Sequence, residues 1–92
     1  MNETTEQILK ERSEVYGDYN RGQEFRLNVM KEIEQSYYTA YHVPMPESFK
    51  LLLSDIVNKL SRLAVSPNHL DSWRDIAGYA ELSILYLKNR GD

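Results

Sequence analysis

Apolar residues in this chain recur every three or four positions, and they nowhere alternate with polar residues over a stretch long enough for a strand. This spacing places apolar side chains along one face of a helix. The pattern therefore predicts an all-α protein. Four helices are expected, at residues 5–15, 21–41, 46–65 and 71–89.

The first predicted helix is short and carries few apolar positions. Thr4 and Gln7 have the spacing of a capping box, and Gly17 is suited to end the helix in a left-handed cap. This helix therefore needs another element to pack against. Its apolar residues are Ile8, Leu9 and Val15.

The second predicted helix is long and begins after Asn20, which is expected to be its N-cap with Gln23 at the reciprocal position. Its predicted inward stripe comprises Phe25 or Leu27, Met30, Ile33, Tyr37 and Tyr41.

The last two predicted helices have the strongest apolar faces. Pro46 is expected to be the first residue of the third helix, and the Ser66-Pro67-Asn68 segment ends it. Asp71 is a candidate N-cap for the fourth helix, and Gly91 is suited to close it. The inward residues are predicted to be Phe49, Leu52, Leu53, Ile56, Leu60 and Leu63 on the third helix, and Trp73, Ile76, Ala77, Ala80, Ile84 and Leu87 on the fourth.

Short connections between long helices favour antiparallel neighbours. We therefore expect a small antiparallel bundle of three long helices, with the short N-terminal helix packed across it. The chain shows no internal repeat and no linker-like segment, so residues 1–92 are expected to form one domain.

Composition narrows the function classes. Hydrophobic residues make up 41% and charged residues 27%, which are ordinary globular proportions. The absence of cysteine excludes disulfides and thiolate metal sites. A net charge of -3 disfavours binding to a nucleic-acid backbone. The N-terminal MNETTEQ does not resemble a signal peptide, and no apolar run could span a membrane, so a cytoplasmic location is expected.

Unusual residue choices cluster early in the fourth predicted helix. Asp71, Asp75 and Tyr79 are spaced four apart and share one helical face. Gly78 gives this helix a flat surface of small residues, which implies close approach of another helix or of a ligand. Packing between helices is the commoner explanation. Two carboxylates at this spacing could also bind Mg²⁺, although a helix start favours acidic residues in any case.

The third predicted helix offers matching charges. Asp55, Lys59 and Arg62 lie four and three residues apart beside the apolar stripe. Lys59 and Arg62 could form an ion network with the two aspartates of the fourth helix, or a clamp for a phosphate group. The sequence leaves both interpretations open.

Tyrosines and histidines complete the list of candidates. Tyr16 and Tyr19 flank Gly17 close to Arg12, which suits base stacking and phosphate contact but also suits an ordinary helix cap. Tyr37, Tyr38 and Tyr41 cannot all face one core, so at least one is exposed or lies in an interface, which suggests a homo-oligomer. His42 and His69 are expected in exposed loops without a catalytic role.

Three motifs carry a family resemblance: E-R-x-x-x-Y-G-D from Glu11, K-x-x-R-L from Lys59, and D-S-W-x-D-I-A-G-Y from Asp71. Together they resemble a family of small phage and prophage proteins of unknown function. The resemblance implies a viral accessory protein in the host cytoplasm. The chain is more weakly similar to the MazG-type all-α nucleoside triphosphate pyrophosphatases, through Asp75 and Tyr79, but the acidic helix of that family is missing.

The leading hypothesis is a non-enzymatic phage protein that binds a phosphate-bearing ligand, such as a nucleotide immune signal. Two alternatives remain: a metal-dependent nucleotide pyrophosphatase using Asp55, Asp71 and Asp75, and an inhibitor or adaptor acting on a host protein. No catalytic residue, metal ligand or cofactor is assigned. The predicted ligand-binding residues are Lys59, Arg62, Asp71, Trp73, Asp75, Tyr79, Arg12 and Tyr16.

Overall fold

The computed structural model of the protein describes residues 18–90, which contain three α-helices and no strand. They are α1 (Tyr19–Tyr41), α2 (Glu47–Leu63) and α3 (Leu70–Asn89). The all-α prediction is confirmed. The first predicted helix, with Gly17, and Gly91 at the far end lie outside the described residues.

Helix α1 begins two residues earlier than predicted. Its N-cap is Asp18, whose Oδ1 accepts a hydrogen bond from the Arg21 backbone N–H at 3.0 Å, so the assignment of Asn20 was wrong. Both residue types are good caps, and sequence alone does not rank them. At the other end, His42 adopts the left-handed conformation (φ 59°), and its backbone N–H donates to Tyr38 O at 2.7 Å.

The starts of α2 and α3 also differ from the predictions by one or two residues. Pro46 is the N-cap of α2, and the helix begins at Glu47. The N-cap of α3 is His69, and Asp71 is the second residue of the helix. The half-buried His69 places Nδ1 2.8 Å from the Oγ of the buried Ser72, so this histidine is not a simple exposed loop residue.

Helix α2 lies in the middle of the structure, with α1 packed on one side and α3 on the other. Contacts between side chains show that both neighbours are antiparallel to it. Arg26 and Glu34 of α1 contact Asn58 and Lys50 of α2, respectively. Near the other end of α2, Lys59 pairs with Asp75 of α3.

The hydrophobic core is small because α1 and α3 both pack against α2 and do so on different sides of it. The buried apolar residues are Met45, Val57 and Leu63, and α1 contains no fully buried residue. The prediction placed all inward residues of α2 on one stripe, but Leu60 of that stripe is exposed and Lys59 is buried. A helix that packs between two neighbours buries two of its faces, whereas a search for one apolar stripe finds only one of them.

Helix α3 is rotated relative to the prediction. Ser72 is buried, and the half-buried residues of the helix are Ile76, Tyr79, Ala80 and Ser83, so two of the predicted inward residues, Ile76 and Ala80, are partly covered. The predicted inward residues Trp73, Ile84 and Leu87 are 51%, 46% and 44% exposed, respectively. On α1, Leu27 and Tyr41 are likewise exposed rather than inward. The described helices therefore leave a large apolar surface uncovered.

Candidate functional site

A polar stripe runs along the C-terminal half of α2. Asp55, Asn58, Lys59 and Arg62 occupy positions i, i+3, i+4 and i+7, which share one face of a helix. This face lies between the side of α2 that contacts α1 and the side that contacts α3. The stripe therefore runs along α2 between its two neighbours, and α1 contacts it through Arg26 and α3 through Asp75. We call this strip, together with those contacting side chains, the polar groove.

The α3 side of the polar groove is fixed by an ion pair between Lys59 Nζ and Asp75 Oδ2, which are 2.8 Å apart. The side chain of Lys59 is 11% exposed, whereas that of Asp75 is 48% exposed. The ammonium has three donors, so the contact with Asp75 leaves it able to bind another acceptor. This contact is one part of the ion network that the sequence offered as one of two interpretations.

Other positive groups lie around the same carboxylate. The hydrogen bond from Lys59 lowers the pKa of Asp75 below its usual value, partial desolvation opposes that shift, and the nearby charges of Lys59, Arg62 and His69 lower the pKa further. Asp75 is thus held ionised among three cationic or ionisable groups. Two cations of α2 and one carboxylate of α3 therefore meet at one end of the groove.

The α1 side of the polar groove was not found from the sequence. Arg26 donates to Asn58 Oδ1 at 3.3 Å and to Gln23 Oε1 at 3.2 Å, which ties α1 to the polar stripe. Tyr19, Gln23, Arg26, Asp55 and Asn58 line a cavity of about 520 Å³ between the two helices. The sequence contained a signal for Asn58, because it lies three residues after Asp55 and four before Arg62, on the same helical face as the predicted charges. No local pattern indicates which α1 residues face it.

Asp71 does not join the predicted cluster of four charges. It forms an exposed pair with Arg74 on its own helix, with 3.2 Å between Asp71 Oδ1 and Arg74 Nη1. Asp71 and Asp75 are four residues apart, which is slightly more than one helical turn. Asp71 therefore lies about 40° further round the helix from α2 than Asp75 does. Only Asp75 reaches the positive groups of α2.

Trp73 also lies away from the groove. Its Nε1–H donates to Pro67 O at 2.8 Å, which anchors the indole to the connection between α2 and α3. Trp73 and Asp75 are about 200° apart around the helix, so they occupy opposite flanks of α3. Tyr79 lies one turn after Asp75 on the same face and is half-buried.

Gly78 does not mark a close approach among the described residues. A Cβ atom placed on it would have no heavy atom within 4 Å beyond its own helix. Of the two expectations for Gly78, close packing of another helix is therefore not met among the described residues, and approach of a ligand stays a prediction. Arg12 and Tyr16 lie outside the described residues, and Tyr19 is the first residue of α1 rather than part of a turn.

Within residues 18–90, no three His, Asp or Glu side chains come together in a way that could hold a metal ion. The pyrophosphatase alternative needs Asp55, Asp71 and Asp75 to act together. Asp71 and Asp75 instead pair with different cations, Arg74 and Lys59, respectively. None of the helices described here has the length and apolar character needed to cross a bilayer.

Over residues 18–90 the fold is three helices, with the polar stripe of α2 between its two neighbours. Comparison with protein families identifies a match over residues 1–85 to a domain of unknown function, DUF6378. The chain belongs to this family. No curated protein and no solved structure matches it.

Proposed function

We propose that this protein binds a small phosphate-bearing ligand in the polar groove and does not catalyse a reaction of it. One observation carries the proposal: the polar stripe of α2 meets Arg26 of α1 and Asp75 of α3 on a single face. A cavity of about 520 Å³ between α1 and α2, which Asp55 and Asn58 of the stripe help to line, lies within the size range of small-molecule sites. Lys59 and Arg62 follow its lining along the same face of α2.

The phosphate binds at the end of the groove near Lys59 and Arg62. Asp75 holds the Lys59 ammonium in place, so the cation is positioned before the ligand arrives. Arg62 lies close enough to affect the charge of the same carboxylate. Its guanidinium provides bidentate donors that suit phosphate oxygens, and the ammonium adds a point charge.

The rest of the ligand extends along the stripe toward α1. Asp55 and Asn58 offer acceptors and an amide donor of the kind that recognise a ribose or a base edge. Tyr19 lines the cavity and can stack on a base, and Tyr79 lies one helical turn after Asp75 on the same face of α3. These features favour a nucleotide over inorganic phosphate, since phosphate alone would not use the α1 side.

In the biological role that we propose, a phage accessory protein sequesters a nucleotide immune signal in the host cytoplasm. Support for this step comes from the resemblance of the Y-G-D and D-S-W-x-D-I-A-G-Y motifs to phage and prophage proteins, together with the binding chemistry of the groove. Sequestration requires tight binding and no turnover, and the cations, amide and aromatic rings of the groove are suited to binding.

Isothermal titration calorimetry with nucleoside mono-, di- and triphosphates, cyclic dinucleotides and inorganic phosphate tests the proposal. Arg62→Gln and Arg26→Gln should each weaken nucleotide binding about tenfold or more, because each removes a charged donor from the groove. Arg74→Gln and Arg21→Gln are the matched controls, since these arginines form exposed pairs with Asp71 and Glu24 on their own helices.

The same panel incubated with Mg²⁺ or Mn²⁺ and analysed by phosphate release tests the enzymatic alternative. We expect no turnover. Hydrolysis abolished by Asp75→Asn would contradict the non-enzymatic proposal, and binding that the control variants weaken equally would contradict the placement of the site.

A further inference from the structure

We propose that the apolar surface opposite the polar groove binds a second copy of this chain, with the two α3 helices antiparallel at the centre of a four-helix bundle. This proposal is independent of the ligand proposed above. It rests on the exposed residues of α3, on the adjacent surface of α2, and on the charges beside them.

Exposed apolar residues on α3 follow a coiled-coil repeat. Successive spacings of three and four residues define a heptad seam whose central positions are alanines. We call it the α3 seam: Leu70, Trp73, Ala77, Ala80, Ile84 and Leu87. All but the half-buried Ala80 are exposed, although this was the face that the sequence predicted to be inward.

Helix α2 contributes a second row beside the α3 seam. Phe49, Leu53, Ile56 and Leu60 are spaced by four, three and four residues, which is again the repeat of a helix-packing face. Phe49, Leu53 and Ile56 line an apolar cavity of about 340 Å³ together with Leu87 of the α3 seam. The two helices thus present one continuous apolar surface, which is half of a four-helix bundle.

The α3 seam is complementary to itself in the antiparallel orientation. Pairing its six positions in opposite directions places Leu70 against Leu87 of the partner, and Trp73 against Ile84 of the partner. Ala77 then meets the partner's Ala80 near the two-fold axis. Small residues at the centre let the two helices approach closely, and the large residues fill the space at both ends.

Charges beside the α3 seam match in this arrangement. Arg74 and Glu81 follow Trp73 and Ala80, so both occupy the position next to the core of the repeat on the side away from α2. Antiparallel pairing brings Arg74 of one copy beside Glu81 of the other, and this occurs twice by symmetry. A parallel pairing would instead place like residues at the same level along the two helices, so the charges favour the antiparallel dimer.

The N-terminal segment of the same chain is a poorer occupant. The seventeen residues before Asp18 include a predicted helix whose apolar residues are Ile8, Leu9 and Val15, with only polar residues between Leu9 and Val15. Three such residues cannot match the two rows presented by α2 and α3. A second copy supplies both rows at once.

Light scattering during size-exclusion chromatography of the full chain tests the inference. The expected mass is twice the 10.8 kDa of one chain. Ile84→Glu should give a monomer, because a charge in the α3 seam would have to be buried. Leu82→Glu is the matched control: Leu82 is also exposed, at 60%, but it lies on the other flank of the same helix, so this variant should stay dimeric.

A charge-swap series tests the pairing without touching the apolar residues. Arg74→Glu should weaken the dimer about tenfold or more by placing like charges together, and Glu81→Arg added to it should restore the affinity. A monomeric wild-type protein would overturn the inference. A dimer that Ile84→Glu and Arg74→Glu leave intact would also overturn it, and the charge-swap result decides the matter if Ile84→Glu fails to fold.

Discussion

The Lys59 ammonium lies 2.8 Å from the Asp75 carboxylate, and the two side chains differ greatly in exposure, at 11% and 48%. A largely buried cation is therefore balanced by a carboxylate that water also reaches. Removing the carboxylate would leave the cation with its desolvation cost and without its partner. The pair thus joins α2 to α3 while holding a positive charge at the edge of the groove.

Asp75→Asn should lower the midpoint of urea unfolding, because Lys59 would remain buried without a charged partner. Asp71→Asn on the same helix is the control. Its partner Arg74 is exposed, so this variant should unfold close to the wild-type midpoint. Circular dichroism at 222 nm would follow both transitions. Equal effects of the two substitutions would show that burial of Lys59 does not matter for stability.

The stabilising effect of Asp75 should depend on pH in the acid range. Its pKa is lowered in the folded protein, chiefly by the hydrogen bond from Lys59, so the folded state favours the ionised form. This contribution is fully present above the ordinary carboxyl pKa of 3.8 and is lost as the pH falls through the lower folded pKa. The difference in unfolding midpoint between wild type and Asp75→Asn should accordingly shrink in acid. A difference that stays constant across that range would contradict the assignment.

The start of α1 can be tested with two neighbouring residues. Asp18→Ala should cost about 1 kcal/mol of unfolding free energy, because the cap on the Arg21 N–H is lost. Asn20→Ala should have little effect, since Asn20 lies inside the helix. Chemical denaturation of the two variants measures both values. The reverse order of effects would place the helix start where the sequence first suggested it.

Gly78→Ala should stabilise the protein by about 1 kcal/mol, because alanine is the better helix former and a Cβ at this position meets no neighbour within 4 Å. Thermal unfolding followed by circular dichroism measures the change. The variant should also bind the nucleotide panel as the wild type does. Destabilisation would mean that another surface packs against this part of α3 in solution.

The helical class could be predicted from the sequence because period-three and period-four spacing is a local property of each segment. The same is true of the Lys59–Asp75 pair, since both residues stand out beside apolar stripes. The rotation of α3 could not be predicted this way. Much of its predicted apolar stripe is exposed, notably Trp73 and Ile84, and the side that is covered contains Ser72 and Ser83.

The α1 side of the polar groove shows the second limit. Arg26 and Asn58 are 32 residues apart, and their contact depends on the register of two antiparallel helices. That register is set by packing along the whole of α1 and α2, which no motif records. The caps were misassigned for a related reason, since Asp18 and Asn20 are equally good caps by residue type and only the tertiary structure selects one.

The central claim is that the polar groove on α2 is the ligand site, and an amide NMR titration tests it most directly. Spectra of the ¹⁵N-labelled full chain would be recorded while the tightest nucleotide from the calorimetric panel is added. We predict saturable shifts centred on Asp55 to Arg62, with further shifts near Arg26 and Asp75. Shifts centred instead on the α3 seam, or no saturable shift with any member of the panel, would contradict the account.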